Sequence, residues 1–494
     1  MKSKRVLVSL LFLVYNKMNC YGDYGMKENR YISEQELNRQ KEIACTLYQE
    51  LSERNLSFFV ETFGCQMNVR DSETIKGELL DIGYSEAVSK EKADLILFNT
   101  CCVRDHAEKR LMGNIGALKE LKDEKPGLIV GICGCMMQQE GMAKKLLKRF
   151  PHVSLIFGTN VLYRLPEMLQ KVLSGERVAV TDRAEDAISE GLPQMRDNPR
   201  SAFVNIMYGC DNFCSYCIVP YVRGRERSRK PQDIRDEIVS LTKSGITEIT
   251  LLGQNVNSYG NDGSTGMTFA QLLRYMSDVP GLQRLRFMSS HPKDLNEDVM
   301  QAIATLPNVC HHVHLPVQSG NDEVLKHMNR RYTRERYLSI IRRLRELVPD
   351  IEFTTDIIVG FPGETEEAFS DTMSLVEEVG FAAAFTFAYS PRQGTSAAKR
   401  EDQIPESVKK RRLHELNELQ ARKTVENNEK YIGFTGTVLV EGFDMRGEET
   451  MLYGKYQNFK MVYFSGDMSL LNRYVTVRVL KTNKNSLLGE MIDA

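Results

Sequence analysis

Tyr208-Gly209-Cys210-Asp211-Asn212-Phe213-Cys214-Ser215-Tyr216-Cys217 decides how the chain is read. The spacing is C-x3-C-x2-C, and the segment follows a strand-like run, Phe203–Met207. Three thiolates can hold three irons of a cubane and leave the fourth without a protein ligand. Full ligation suits electron transfer, whereas an open iron can take a substrate, as an open position does on catalytic zinc. A zinc site or buried free cysteines are the alternatives. Zinc wants a fourth Cys or His, and Cys310 and His106 lack motif spacing, so the segment favours a cluster.

Working outward, five more strand candidates follow Phe203–Met207: Glu248–Leu252, Arg284–Met288, His312–Pro316, Phe353–Ile358 and Ala384–Tyr389. All gaps but the last have room for a crossover helix. Six β/α units fall short of an eight-stranded barrel and fit a partial, TIM-like (β/α)6 barrel with its site at the C-terminal strand ends. The cysteine loop lies at the first of these ends.

Upstream, strands are expected at Phe58–Thr62, Asp94–Asn99, Leu128–Cys133 and Val153–Phe157, alternating with amphipathic stretches such as Asp71–Leu80 and Glu108–Leu121. This is a largely parallel α/β domain. Cys65, Cys101 and Cys135 each come just after a strand, where parallel sheets bind ligands. They are 36 and 34 residues apart, so only the fold can bring them together. Three core cysteines are the bland reading of the same residues. Cys102 should point elsewhere and Cys133 should end its strand as a buried hydrophobe. Cys20, Cys45 and Cys310 read as structural.

Downstream, Glu406–Lys430 reads as a long charged helix. Its four basic residues, Lys409 to Arg412, favour a solvated face slightly over a phosphate contact. From Tyr431 short strands (Thr435–Glu441, Phe459–Phe464, Tyr474–Leu480) indicate a small, OB-like β-barrel. It has 7 Lys+Arg and 7 Asp+Glu, so charge gives no argument for nucleic acid. The divisions are therefore 1–56, a polar, loosely attached extension; 57–198, the first α/β domain, ending in the linker-like Asp182–Arg200; 199–429, the partial barrel and connecting helix; and 430–494, the small barrel.

The 494 residues carry a formal charge of −1, 42% hydrophobic and 27% charged residues, an ordinary globular balance that identifies no charged partner. Eleven cysteines, an odd number, argue against a secreted disulfide scaffold and for reduced thiolates in a cytoplasm. Tryptophan is absent, so base stacking would fall to Tyr, Phe or Arg. Val6–Tyr15 after Lys2, Lys4 and Arg5 looks like the start of a signal peptide, but no small-x-small cleavage site follows and the run is too short to span a bilayer. Translation from Met18 or Met26 explains it as well. No membrane association is expected.

The cysteine loop resembles the signature of the radical S-adenosylmethionine superfamily. The phrases Thr62-Phe63-Gly64-Cys65-Gln66-Met67-Asn68, Asn99-Thr100-Cys101 with Val103-Arg104, and Gly134-Cys135-Met136 resemble those of the methylthiotransferase family. So do Tyr221–Glu226, Leu252–Tyr259 and Thr355–Thr365, in family order from about Ser57 to the end. The resemblance implies two [4Fe–4S] clusters, on Cys210, Cys214 and Cys217 and on Cys65, Cys101 and Cys135. It implies two molecules of S-adenosyl-L-methionine, one spent on a 5′-deoxyadenosyl radical and one on methyl donation, with sulfur delivered through the second cluster. The small barrel resembles the TRAM RNA-binding module.

Other candidate cofactor contacts are Tyr216, Arg223, Arg225, Gln254, Asn255, Asn257, Gln318, Asp356 and Arg392, all near the cysteine loop or barrel-strand ends. Arg223 and Arg225 would fork onto a cofactor carboxylate or a substrate phosphate, or make ordinary ion pairs. His312-x-His314-Leu315-Pro316-Val317-Gln318-Ser319-Gly320 and Cys65-Gln66-Met67-Asn68 resemble the branch that methylthiolates C2 of isopentenyladenosine beside the tRNA anticodon. Threonylcarbamoyladenosine and a ribosomal-protein aspartate are the alternatives, and outside the family an iron–sulfur electron-transfer protein. The expected partners are the tRNA anticodon stem-loop, an electron donor such as flavodoxin or ferredoxin, and a cluster or sulfur supply protein, with the chain a monomer.

Overall fold

A computed structural model describes residues 31–102, 105–181, 187–446 and 449–493. The Val6–Tyr15 run, Met18, Met26, Cys20, Val103-Arg104 and part of the Asp182–Arg200 stretch lie outside the described residues.

The first sheet has six parallel strands in the order β2-β1-β3-β4-β5-β6. They are β1 (Ser57–Thr62), β2 (Ser85–Glu86), β3 (Leu95–Thr100), β4 (Ile129–Gly134), β5 (Leu155–Phe157) and β6 (Val178–Val180). β3 and β4 are buried throughout. That is why Leu95-Ile96-Leu97-Phe98 and Ile129-Val130 are apolar without alternation: helices cover both faces. β2 and β6 were not anticipated: β2 has two exposed residues, and β6, unlike the fully buried β5, buries only Val178.

The helix Glu34–Leu51 differs from the loose attachment expected of it. Ala44, Leu47 and Leu51 are buried in one core with Ile75, Leu97 and Leu155, and this apolar stripe at helical spacing docks the helix on the sheet.

β7 (Ser201–Asn205), β10 (Glu248–Leu252) and β11 (Arg284–Phe287) pair in parallel, as do β12 (His312–His314), β13 (Glu352–Val359) and β14 (Ala383–Ala388). A parallel bridge between Leu285 and Val309 joins the two halves. All six expected barrel strands are present. Their alternation sends Ile249, Leu251, Leu285, Phe287, Val313 and Phe353 outward into a core with Ile234, Leu272 and Ile340 of the crossover helices. The other face turns Arg286, His314, Thr354 and Asp356 into a polar lumen. The cysteine loop hangs from a small antiparallel pair, β8 (Met207–Tyr208) with β9 (Arg227–Ser228).

The helix Glu406–Glu429 packs behind β14. Its basic run is a solvated face only in part: Lys410 and Arg411 are exposed. Lys409 and Arg412 are both buried, and Arg412 pairs with Glu364 at 2.7 Å and with Glu366 at 2.7 Å, which occupies its guanidinium within the protein.

β15 (Thr435–Arg446), β16 (Glu449–Lys455), β17 (Met461–Ser465), β18 (Tyr474–Thr482) and β19 (Leu487–Asp493) close a five-stranded barrel in the order β15-β16-β17-β19-β18. It docks on the N-terminal ends of the partial-barrel strands. Arg284 donates to the carbonyls of Thr437 (2.6 Å) and Lys455 (2.8 Å), Arg286 to those of Tyr456 (3.0 Å) and Gln457 (2.9 Å). His312 stacks on Phe459 with ring centroids 4.5 Å apart. This leaves the C-terminal strand ends free. Among the described residues no helix is long and apolar enough to cross a membrane.

Glu78 lies buried on the helix Gln66–Asp81, and burial, then the charge of Asp81, pushes its carboxyl up to about 8. The folded chain thus keeps a proton that the unfolded chain releases near pH 4. This group's contribution to stability is complete below that value and is lost as pH rises toward 8. Glu78→Gln is expected to raise the urea midpoint at pH 8 while changing it little at pH 4, which denaturation curves at the two pH values would show.

Candidate active site

The cysteine loop is clamped by backbone bonds. The Cys210 N–H donates to Gly224 O (3.2 Å), Cys217 to Cys214 O (2.9 Å) and Ser215 to Met328 O (3.0 Å). Asn329 Nδ2 reaches the carbonyls of Asn212 (3.2 Å) and Phe213 (2.9 Å). Two donors address the sulfurs: Asn212 Nδ2 lies 3.5 Å from Cys210 Sγ, and Arg330 Nη1 3.4 Å from Cys214 Sγ. Burial, then neighbouring thiol charge, pushes the Cys217 thiol up to about 12, and burial does the same for Cys210. Thiols so placed ionise only beside strong positive charge, which a metal centre supplies.

In the first sheet, Cys65, Cys101 and Cys135 follow β1, β3 and β4, three neighbouring strands. Glycines allow the turns to meet. Gly64 has φ +141°, and a Cβ there would lie 2.7 Å from Cys101 Cβ; Gly134 has φ +101°, and its Cβ would lie 2.4 Å from Thr100 O. Asn68 Nδ2 donates to Asn99 Oδ1 and Thr100 O, both at 3.1 Å, and Asn99 Nδ2 returns a bond to Asn68 O at 2.8 Å. The turn after β1 is thereby locked to the end of β3. Cys65 Sγ lies 3.4 Å from Asn68 Oδ1.

Arg223 is placed differently from the expected cofactor carboxylate or phosphate contact. It leaves the end of the cysteine-loop segment and crosses to the first sheet, where Nε donates to Cys135 Sγ (3.0 Å) and Nη2 to Asp71 Oδ2 (3.0 Å), all three groups buried. Cys102 also departs from expectation: β3 has ended at Thr100, and the turn brings the Cys102 thiol onto Cys135. This hydrogen bond first, and then the Arg223 charge, hold the Cys135 thiol down to about 7 against its burial. Cys133 is fully buried in the core, as expected.

Among the described residues no three His, Cys, Asp or Glu side chains converge on a single-ion site. A cubane spreads three thiolates over three irons and takes a wider tripod than one ion needs.

The remaining candidates fall into two groups. Arg225 makes an ordinary exposed ion pair with Asp211, at 2.7 and 3.0 Å, and lies over Phe213. Tyr216 packs toward Phe361 and Tyr389. Arg392 lies in a turn after β14, closed by the Thr395 N–H on its carbonyl at 3.1 Å. Asp356 faces His314 Nε2 at 3.6 Å.

The amides behave otherwise. Gln254 Nε2 contacts Met67 Sδ and Asn255 Nδ2 donates to Asp294 (2.7 Å), yet Gln254 Oε1, Asn255 Oδ1, Gln318 Oε1 and both polar atoms of the Asn257 amide are buried without a partner. Ser290 Oγ and His291 Nε2, beyond β11, are in the same condition. Sequence reasoning missed these two, although Met288-Ser289-Ser290-His291 occupies the same place after its strand as Gln254–Asn257 does after β10. Buried polar atoms are normally satisfied, so this set at the barrel mouth fits a polar ligand.

Three family models match in chain order: the uncharacterized protein family UPF0004 over residues 57–158, the radical SAM superfamily over 204–376 and the TRAM domain over 429–492. The tRNA-2-methylthio-N(6)-dimethylallyladenosine synthase of Clostridium tetani is 50% identical over 451 residues, covering 91% of this chain and 99% of that one. That of Clostridium perfringens strain 13 is 52% identical over 437 residues, covering 88% and 98%. The chain belongs to the tRNA-2-methylthio-N(6)-dimethylallyladenosine synthase family. It is a radical S-adenosylmethionine enzyme. Among solved structures, the radical S-adenosylmethionine methyltransferase TsrM of Kitasatospora setae shares the fold with a TM-score of 0.51 at 16% identity, over 70% of this chain and 74% of that one.

The Arg223–Asp71 pair is buried, so removing one partner strands the other charge. Arg223→Met is expected to cost about 3–5 kcal/mol. Adding Asp71→Asn should recover part of that loss, so a double-mutant cycle in urea should show strong coupling.

Proposed function

We propose that this chain methylthiolates C2 of N6-isopentenyladenosine beside the anticodon of tRNA. The observation that supports the reading is Arg223: on the short helix that follows the Cys210–Cys217 loop, it sets its guanidinium on Cys135, which favours two sets of three cysteines in one site. Cys210, Cys214 and Cys217 would hold one [4Fe–4S] cluster with an open iron, and Cys65, Cys101 and Cys135 a second. When bound, the clusters and two molecules of S-adenosylmethionine supply a carbon radical, a methyl group and a sulfur atom, the three requirements for replacing an aromatic C–H by C–S–CH3.

The chain's own residues bind and orient. Arg330 and Asn212 give hydrogen bonds to thiolate sulfurs of the first set, and Arg223 to one of the second. Gln254, Asn255, Asn257, Ser290, His291 and Gln318 offer polar atoms to the cofactor or to the target nucleoside. A single-stranded anticodon loop suits such a mouth, because its bases can be turned out without melting a duplex. The small barrel at the other end of the strands would then meet RNA at a distance from the target base. Its balanced charge makes shape and stacking the means of contact. An electron donor such as a flavodoxin or ferredoxin and a sulfur supply protein complete the proposed partners, in a cytoplasm.

The test is mass spectrometry of tRNA nucleosides from cells with and without the gene. Methylthiolated isopentenyladenosine should disappear and return with the wild-type gene, but not with a Cys101→Ala copy. Loss of methylthiolated threonylcarbamoyladenosine instead, or of neither, would overturn the substrate assignment.

A further inference from the structure

The lumen of the partial barrel has one wall unlike the others. β14 is an edge strand, and Thr386 on its outer face bonds Asn417 of the long helix. Phe385 and Phe387 alternate to the other face and stand 51% and 38% exposed. Register with β13 pairs Phe385 with Asp356 and Phe387 with Ile358, which fixes both rings on the lumen side. Beside them, on the same face of β13 and β12, the surface is polar. His314 meets Phe385 edge-on with centroids 6.0 Å apart, its Nδ1 lies 3.0 Å from Thr354 Oγ1, and its Nε2 faces Asp356. Toward the mouth, Ile358 joins the cluster of Tyr216, Phe361 and Tyr389 beside the cysteine loop. Scattered exposed apolar side chains need no account. Two rings in succession on the concave face of a catalytic barrel do.

We propose that Phe385 and Phe387 form the subsite for the branched five-carbon N6 substituent of the target adenosine. This rests on the proposed function and deepens it. An isopentenyl group is apolar and uncharged, and it can lie flat on ring faces that lack any donor. The wall is continuous with the mouth, so a substituent held there leaves the adenine between it and the cysteine loops. The same wall disfavours the threonylcarbamoyl alternative. That group carries a carboxylate, amides and a hydroxyl, which Phe385 and Phe387 cannot satisfy, and the Asp356 carboxylate beside Phe385 on the neighbouring strand repels the added charge. Discrimination thus combines an apolar attraction with a built-in repulsion.

The test uses full-length enzyme with its clusters reconstituted, and two anticodon stem-loop RNAs that differ only in the isopentenyl group. Binding is read by fluorescence anisotropy and turnover by product mass spectrometry. Wild type should prefer the prenylated RNA. Phe385→Ala and, independently, Phe387→Ala should each reduce that preference by about tenfold or more while leaving affinity for the unprenylated RNA unchanged, and Phe385→Leu should keep most of it. The two alanine variants are separate, so misfolding of one leaves the other readable, and Phe385→Leu keeps the apolar edge strand intact. An undiminished preference in the variants would overturn the subsite. So would equal binding of both RNAs by a wild-type enzyme that still forms product. Product from neither RNA would instead overturn the function on which the subsite rests.

Discussion

The guanidinium of Arg223 ties the stretch that follows the cysteine loop to the Cys135 turn of the first sheet, and the reading of the two cysteine sets as one site depends on it. It starts from the segment that carries Cys210, Cys214 and Cys217 and ends 3.0 Å from Cys135 Sγ, with Asp71 supplying the balancing charge. Burial pushes the Asp71 carboxyl up, and Arg223 opposes that shift. Such a pair is weak as a source of net stability and strong as a constraint, because neither charge tolerates the loss of the other. Around it, Arg70 and Arg229 both pair with Glu237, and Arg196 joins Glu73 to the same cluster. A largely buried ionic seam thus fixes the first sheet against the partial barrel.

The two ends of the barrel strands are used oppositely. At the N-terminal ends, Arg284, Arg286 and His312 are consumed by the small barrel's backbone and by Phe459. At the C-terminal ends, amides of Gln254, Asn255, Asn257 and Gln318 are left with unpartnered atoms. A fold that satisfies its polar groups at one pole and not at the other has placed its chemistry at the second. Between them one face of the β12-β13-β14 sheet sets the rings of Phe385 and Phe387 beside the polar groups of His314, Thr354 and Asp356.

Much of this was legible in residue order. All six barrel strands were visible from apolar runs and gap lengths, and β1, β3, β4 and β5 of the first sheet likewise. The position of Cys65, Cys101 and Cys135 just past strand ends followed from those strands alone. The rest depended on contacts between segments far apart in sequence. Nothing local in Arg223 distinguishes a cofactor ligand from a strap to Cys135, 88 residues away. Cys102 turned toward Cys135 because β3 stops at Thr100, a boundary that periodicity does not fix. Arg412 looked like part of a solvated run because its partners, Glu364 and Glu366, come from another helix–turn segment. Gly64-Cys65 and Gly134-Cys135 did carry a readable signal: a glycine before each thiol is what a close approach of turns requires.

The central claim is that two independent sets of three thiolates each hold a cluster within one chain. Iron and acid-labile sulfide counted after anaerobic reconstitution test it most directly. Wild type should bind about eight of each, and the Cys65/Cys101/Cys135→Ala and Cys210/Cys214/Cys217→Ala triple variants about four each. A wild-type chain that saturates at four irons, or a triple variant that retains eight, would contradict it.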